Sequence, residues 1–151
     1  MTTNSGRFRK KDYRYFQMAK EQAMQSTYDR VAVGCVLVYK NRVIGAGFNN
    51  KKTCPQQKRA NKKRNFNHNS NRPINHYMHA EISALRSVPY TVAQSICWRN
   101  VDVYVYRISP GHSLGMGLSR PCAGCMSELT NLGIKNIFYS GNNGFVYEEI
   151  Y

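Results

Sequence analysis

Apolar residues recur at three- to four-residue spacing through DYRYFQMAKEQAMQSTY, residues 12 to 28, at Tyr13, Phe16, Ala19 and Ala23. That period predicts an amphipathic helix. The pattern then changes. VAVGCVLVYKNRVIGAGFN holds two runs rich in β-formers, 31 to 39 and 42 to 48, on either side of Lys40-Asn41, which predicts a hairpin. Periodicity stops at residue 49. The stretch 49 to 76, NNKKTCPQQKRANKKRNFNHNSNRPINH, has eight Lys or Arg and no acid, is rich in Asn and poor in apolar residues, and predicts a long basic loop. HAEISALRSV (79 to 88) restores helical spacing at Ile82, Leu85 and Val88. VDVYVYRI (101 to 108) predicts a strand, and RISPGHSLGMGLSR (107 to 120) a Gly-rich loop. PCAGCMSELTNLG (121 to 133) predicts a helix with Pro at its start and Gly at its end, and IKNIFYS (134 to 140) another strand. The order α, β-hairpin, α, β, α, β predicts one α/β domain over residues 1–151, with helices on both faces of a mixed sheet.

Composition narrows the possibilities. With 151 residues, 42% of them apolar, the chain is the size of one globular domain with a core of normal proportions. The opening MTTNSGRFRKKDYRYF lacks the apolar run of a secretory leader. The longest apolar run, VAVGCVLVY, is far short of a membrane span. A cytoplasmic protein without membrane attachment is the expectation. Five irregularly spaced Cys point to metal binding or free thiols over a disulfide framework. The charge is +14, from 22 Lys and Arg against 8 Asp and Glu, which suggests a polyanionic or phosphorylated partner.

Two short motifs carry the chemistry. His79 and Glu81 open one predicted helix; Cys122 and Cys125 open another, behind Pro121. One imidazole and two thiolates suit Zn²⁺. A helix N-terminus favours thiolate over thiol, and three protein ligands leave a fourth position open, as in catalytic sites. Glu81 stands beside the metal without needing to bind it, where a carboxylate can move protons. H-x-E…P-C-x-x-C is the signature of zinc-dependent nucleobase deaminases.

On these residues the chain resembles the cytidine and deoxycytidylate deaminase superfamily over about residues 12 to 140. HAEISAL and GIKNIFYS look closest to deoxycytidylate deaminase-like proteins, including small ones carried by bacteriophages. The resemblance implies a three-layer α/β/α cytidine deaminase-like fold with a five-stranded mixed sheet, and commonly a homo-oligomer. It implies that Asn49 hydrogen-bonds the substrate sugar and that Ala80 and Pro121 also contact substrate. Arg120 departs from the family, which often has Ser or Glu before the Pro, and is a candidate to reach an acidic substrate group. The loop 107 to 120 is longer than the family pattern; its His112 reads as a surface residue.

The function so implied is zinc-dependent hydrolytic deamination of a cytosine-type base, with deoxycytidylate favoured as substrate. The alternative is a polynucleotide deaminase acting on single-stranded DNA or RNA, with Lys51, Lys52, Lys62, Lys63 and Arg64 touching phosphates. Tyr77, Tyr106 and Phe48 would then stack on bases or, more simply, belong to the core. A non-catalytic nucleic-acid-binding module is argued against by the intact His79, Glu81, Cys122 and Cys125. Cys54, His68 and His76 could form a second zinc site, but their spacing fits no tight ligand pattern and they read as loop residues. Cys35 and Cys97 read as buried thiols.

Overall fold

The computed structural model describes residues 2–3, 8–27, 31–63, 77–112 and 114–150. In chain order it contains β1 (Thr2–Thr3), α1 (Lys10–Ala23), β2 (Ala32–Tyr39), β3 (Arg42–Phe48), α2 (Pro55–Lys63), α3 (Ala80–Ser87), α4 (Tyr90–Ser95), a 3₁₀ turn at Trp98–Asn100, β4 (Val101–Ile108), β5 (Met116–Gly117), α5 (Ala123–Leu132), β6 (Asn136–Gly141) and β7 (Gly144–Glu149). None of the described helices is long and apolar enough to cross a membrane.

The strands form a mixed sheet in the order β1-β7-β6-β4-β2-β3, with β5 paired to β4. Its body is the expected five strands; β1 and β5 add only two residues each. β4 and β6 are parallel, and the other pairings are antiparallel. Side-chain alternation divides the core into two faces. Phe16 and Ala19 of α1 pack on Val36, Tyr104, Tyr106 and Phe138. Ala80 and Ala84 of α3 and Leu129 of α5 pack on Cys35, Leu37, Val103, Val105 and Ile137. Helices on both sides of one sheet give the three layers.

Several boundaries differ from the sequence expectation, each for a local reason. The first helix runs 10–23 and not 12–28. The Asp12 carboxylate reaches back to accept the Arg9 N–H at 2.7 Å, so the helix begins before Asp12. Past its end, the Ser26 hydroxyl donates to the Asn49 carbonyl at 2.8 Å and its Oδ1 at 2.6 Å, which turns the chain toward the hairpin. Tyr13 is 51% exposed, so the buried stripe is Phe16, Ala19 and Ala23. The hairpin is as expected, with Lys40 and Asn41 at φ 49° and 62°, the left-handed pair a tight two-residue turn requires.

The largest correction concerns the expected loop 49–76: α2 lies inside it. Its inner side is Gln57, Ala60 and Asn61, all buried, so a search for apolar periodicity passes over it. Polar partners replace greasy ones. Gln57 Nε2 donates to Asn61 Oδ1 at 2.9 Å, and the Arg59 guanidinium grips Glu128 of α5 at 2.8 and 3.1 Å. β7 and the short α4 were also unforeseen, and the loop 107–120 contains β5. Gly133 ends α5 at φ 97°, where glycine alone is unstrained, but Pro121 precedes the cap, so α5 starts at Ala123.

Candidate active site

β3 and β4 both run antiparallel to β2, and β6 runs with β4. The carboxyl ends of β3, β4 and β6 therefore share one edge of the sheet, where open α/β sheets bind ligands. α3 and α5 both begin at that edge. His79 is the N-cap of α3 and Cys122 the N-cap of α5. The segment before His79 is fixed by a bridge to the end of the hairpin: the Met78 N–H donates to the Lys52 carbonyl at 2.7 Å, and the Asn50 N–H to the Met78 carbonyl at 3.0 Å. The His79 N–H itself donates to the buried Gln57 Oε1 at 2.8 Å.

The two motifs meet. His79 Nδ1 lies 3.2 Å from Cys125 Sγ and 3.7 Å from Cys122 Sγ, and all three ligand atoms lie within 4.8 Å of one another. Bonds of about 2.0–2.3 Å in a tetrahedron put nitrogen and sulfur ligands roughly 3.5–3.8 Å apart, so these residues fit a zinc ion. The Cys122 thiol falls to about 3, chiefly through its hydrogen bond from Cys125, with His79 and the Cys125 N–H adding to it. Cys125 moves in the opposite direction, raised by that same bond and by burial. At Cys122 the helix N-terminus adds to the preference for thiolate.

Glu81 is the second residue of α3, in its first turn, and is 5% exposed. Burial raises its carboxyl above the usual range, against the pull of His79. A carboxyl so raised can hold and release a proton nearer neutral pH than one in water.

A pocket of about 400 Å³ opens here, with His79, Glu81 and Cys122 on its wall. Asn49 and Ala80, expected at the substrate, both line it. The Asn49 side chain also ties the hairpin end. Its Oδ1 accepts from the Val33 N–H at 3.0 Å and from Ser26, and its Nδ2 donates to the Val31 carbonyl at 2.7 Å. One amide hydrogen has no partner among the described residues. Pro121 is buried and is not among the lining residues. Arg120 lines the pocket, but its guanidinium forms two 2.9 Å bonds to the buried Glu148, which also accepts from the Tyr139 hydroxyl at 3.0 Å.

The remaining candidates are dispersed. Lys51, Lys52 and Lys62 are exposed; Lys63 ends α2, and Arg64 lies outside the described residues. Tyr77 lines the pocket, Tyr106 is in the core under α1, and Phe48 is half-buried at the end of β3. His112 is exposed, as expected. Cys54 is buried against Met78, Ile82 and Cys125, while His68 and His76 lie outside the described residues. Cys35 is buried as expected; Cys97 is exposed, because it falls between α4 and the 3₁₀ turn and not in a packed element. Gln57, Ser119 and Arg107 are among the residues at the site that went unforeseen. Only Arg107 left a usable signal, since it shares odd-numbered parity with the core residues Val103 and Val105.

The description "cytidine and deoxycytidylate deaminase zinc-binding region" belongs to the family whose pattern matches residues 9–141. The chain is 28% identical over 133 residues to the tRNA-specific adenosine deaminase subunit tad2 of Schizosaccharomyces pombe; the match covers 87% of this chain and 26% of that protein, so the chain spans about a quarter of this relative's length. In fold it is similar to the dCMP deaminase of cyanophage S-TIM5 in complex with dCMP and dUMP, at 18% identity and TM-score 0.56 over 89% of this chain and 85% of that one. It is likewise similar to a cytidine deaminase from Burkholderia pseudomallei, at 18% identity and TM-score 0.57 over 91% of each chain.

Proposed function

Because the chain belongs to the cytidine and deoxycytidylate deaminase family, a family of zinc-dependent hydrolytic enzymes, we propose that it deaminates the cytosine base of a deoxycytidylate-type nucleotide, with His79, Cys122 and Cys125 as zinc ligands and Glu81 as proton carrier. One observation carries this reading: an imidazole nitrogen and two sulfurs cluster at ligand spacing, and His79 and Cys122 of that cluster share a pocket wall with a buried carboxyl. Zinc in that cluster supplies Lewis-acid activation of water at neutral pH. The chain's own residues do the rest. Glu81 takes a proton from the attacking water as its oxygen bonds to C4 of the ring. It delivers that proton to N3, and then moves a second from the added hydroxyl to the departing amine, so that the C4–N4 bond breaks and ammonia leaves. Water and a cytosine become a uracil and ammonia. The 400 Å³ pocket suits a ligand of nucleotide size, and Asn49 on its wall would offer its remaining amide hydrogen to the sugar.

A second reading is a polynucleotide deaminase. It is favoured by the likeness to a tRNA-specific adenosine deaminase subunit and by the exposed Lys51, Lys52, Lys58 and Lys62 leading from the hairpin end along α2. Assaying dCMP, deoxycytidine, cytosine-containing single-stranded DNA and tRNA in parallel separates the two. Turnover of dCMP is expected, and conversion confined to the strand or to tRNA would reverse the choice. Purified protein should carry about one zinc per chain, and Cys122→Ala should lose it. Full zinc retention by that variant would remove Cys122 from the ligand set.

A further inference from the structure

Arg107 is the next-to-last residue of β4. Val103 and Val105 face α3 and α5, while Tyr104 and Tyr106 face α1. Alternation puts Arg107 on the side of the valines, at the carboxyl edge where the two motifs meet, and its side chain lines the same pocket as His79 and Glu81. Opposite it in the β4–β5 pairing stands Gly117. A Cβ at 117 would come within 3.2 Å of Arg107 Cδ, so the bare backbone there leaves the guanidinium stem its path along the wall.

Among the described residues no carboxylate pairs with this side chain. Arg107 Nε is buried and has no hydrogen-bond partner among the described residues. Buried donors normally have partners, and an unpaired one beside a ligand pocket awaits an acceptor. The other arginine on the wall, Arg120, is already forked onto Glu148. Glu81, the lining carboxyl, is engaged with Cys125. The acceptor Arg107 faces should therefore come with the substrate. A guanidinium fork matches phosphate in both charge and shape.

We propose that Arg107, and not Arg120, receives the substrate's phosphate, which makes the enzyme selective for nucleotides over nucleosides. This rests on the deaminase reading of the pocket. The phosphate could be the monoester of a free nucleotide or a diester in a strand, and the test separates these.

The test measures binding, independent of turnover. Zinc-loaded wild type, Arg107→Gln and Arg107→Lys are titrated calorimetrically with dUMP, with deoxyuridine and with a short single strand containing one deoxyuridine. Wild type should bind dUMP about 10- to 100-fold more tightly than deoxyuridine, the worth of a charge-assisted hydrogen bond. Arg107→Gln should bring that ratio to within about twofold of unity and leave deoxyuridine binding unchanged; Arg107→Lys should recover part of it. A loss confined to the strand would keep Arg107 as the phosphate receptor and assign it a diester. An unchanged dUMP ratio together with unchanged strand affinity in Arg107→Gln would overturn the proposal, as would a wild type indifferent to phosphate. Should the Gln variant not fold, phenylglyoxal labelling of wild type decides: dUMP, but not deoxyuridine, should shield Arg107, and absence of shielding counts against it. A wild type that binds dUMP through Arg107 but makes none from dCMP would sink the substrate reading while leaving this one standing.

Discussion

Gly47→Ala should reach the metal site without touching it. Gly47 lies in β3 under α3, and a Cβ at that position would stand 2.5 Å from the Ala84 backbone N and the Ser83 Oγ, and 2.7 Å from the Ser83 carbonyl carbon. Ordinary contacts between such atoms are about 3.5 Å. The helix must therefore retreat by roughly 1 Å, because two of the three obstructing atoms are backbone and cannot rotate aside. Overpacking of this kind costs about 1–3 kcal/mol. At about 2–4 °C per kcal/mol for a chain of this size, Tm should fall by about 2–12 °C.

The functional effect should exceed the stability effect. α3 carries Glu81 within it and His79 at its cap, whereas Cys122 and Cys125 ride on α5. A 1 Å shift of one helix against the other is several times the roughly 0.2 Å tolerance of a metal–ligand bond. It should weaken zinc retention and lower kcat/KM by about 10²-fold. The assay pairs thermal unfolding with zinc release to a chromogenic chelator. Gly111→Ala, where nothing lies within 4 Å of the added carbon, is the control and should change neither. Wild-type Tm and wild-type zinc release in Gly47→Ala would refute the claimed approach of helix to strand.

Three further outcomes are expected. Glu81→Gln should keep about one zinc per chain while turnover falls by about 10²–10⁴-fold, the usual worth of a positioned acid–base group; near-normal turnover would mean another group carries the proton. Gln57→Leu removes the acceptor of the His79 N–H and should cost about 1–3 kcal/mol and speed zinc release, while zinc release unchanged from wild type would leave Gln57 merely a packing residue. Arg120 holds the Glu148 carboxyl below its usual range, so this pair stabilises the fold above about pH 4.3, the unfolded value for Glu. The contribution is lost as pH falls through the lower folded value. Wild type should therefore lose Tm relative to Glu148→Gln below about pH 4.5, and parallel acid profiles for the two proteins would contradict this.

The parts of this fold legible in the sequence are those whose signal is local. The zinc-site motifs each span three or four residues, so the cluster could be named before its halves were seen to meet. β2, β3 and β4 announced themselves through β-branched runs, and α1 through Phe16, Ala19 and Ala23. What stayed hidden depends on partners far along the chain. α2 is polar on the side it buries, because Gln57 answers His79 and Arg59 answers Glu128, 69 residues on. Arg120 reads as a free cation until Glu148 is placed beside it. β7 is half-buried along most of its length, so it lacks clean alternation, although Asn143-Gly144 at its start is a turn signal. Cys97 shows the converse error: residue type suggested burial where the fold supplies none.

The distribution of charge connects the fold to substrate capture. Of the eight acids, Asp12, Glu81, Glu128 and Glu148 are buried, and each is engaged in the interior. Asp12 accepts from Tyr104 and the α1 entrance, Glu128 and Glu148 hold arginines, and Glu81 faces the cysteines. Half the acidic residues are thus engaged in the interior of a chain whose formal net charge is +14. Such a field speeds the arrival of any anion but does not choose among anions, and it fades beyond a Debye length of about 8 Å at physiological ionic strength. Selection has to occur at contact, inside the pocket, where screening is weak. Added salt should therefore slow capture of a nucleotide while leaving the preference for its phosphate largely intact. A strand lying along Lys51, Lys52 and α2 would instead release several counterions, and its affinity would fall with a log–log slope near the number of phosphates touched. The steepness of the salt dependence thus counts the phosphates the protein holds, and distinguishes one seat at Arg107 from a track along α2.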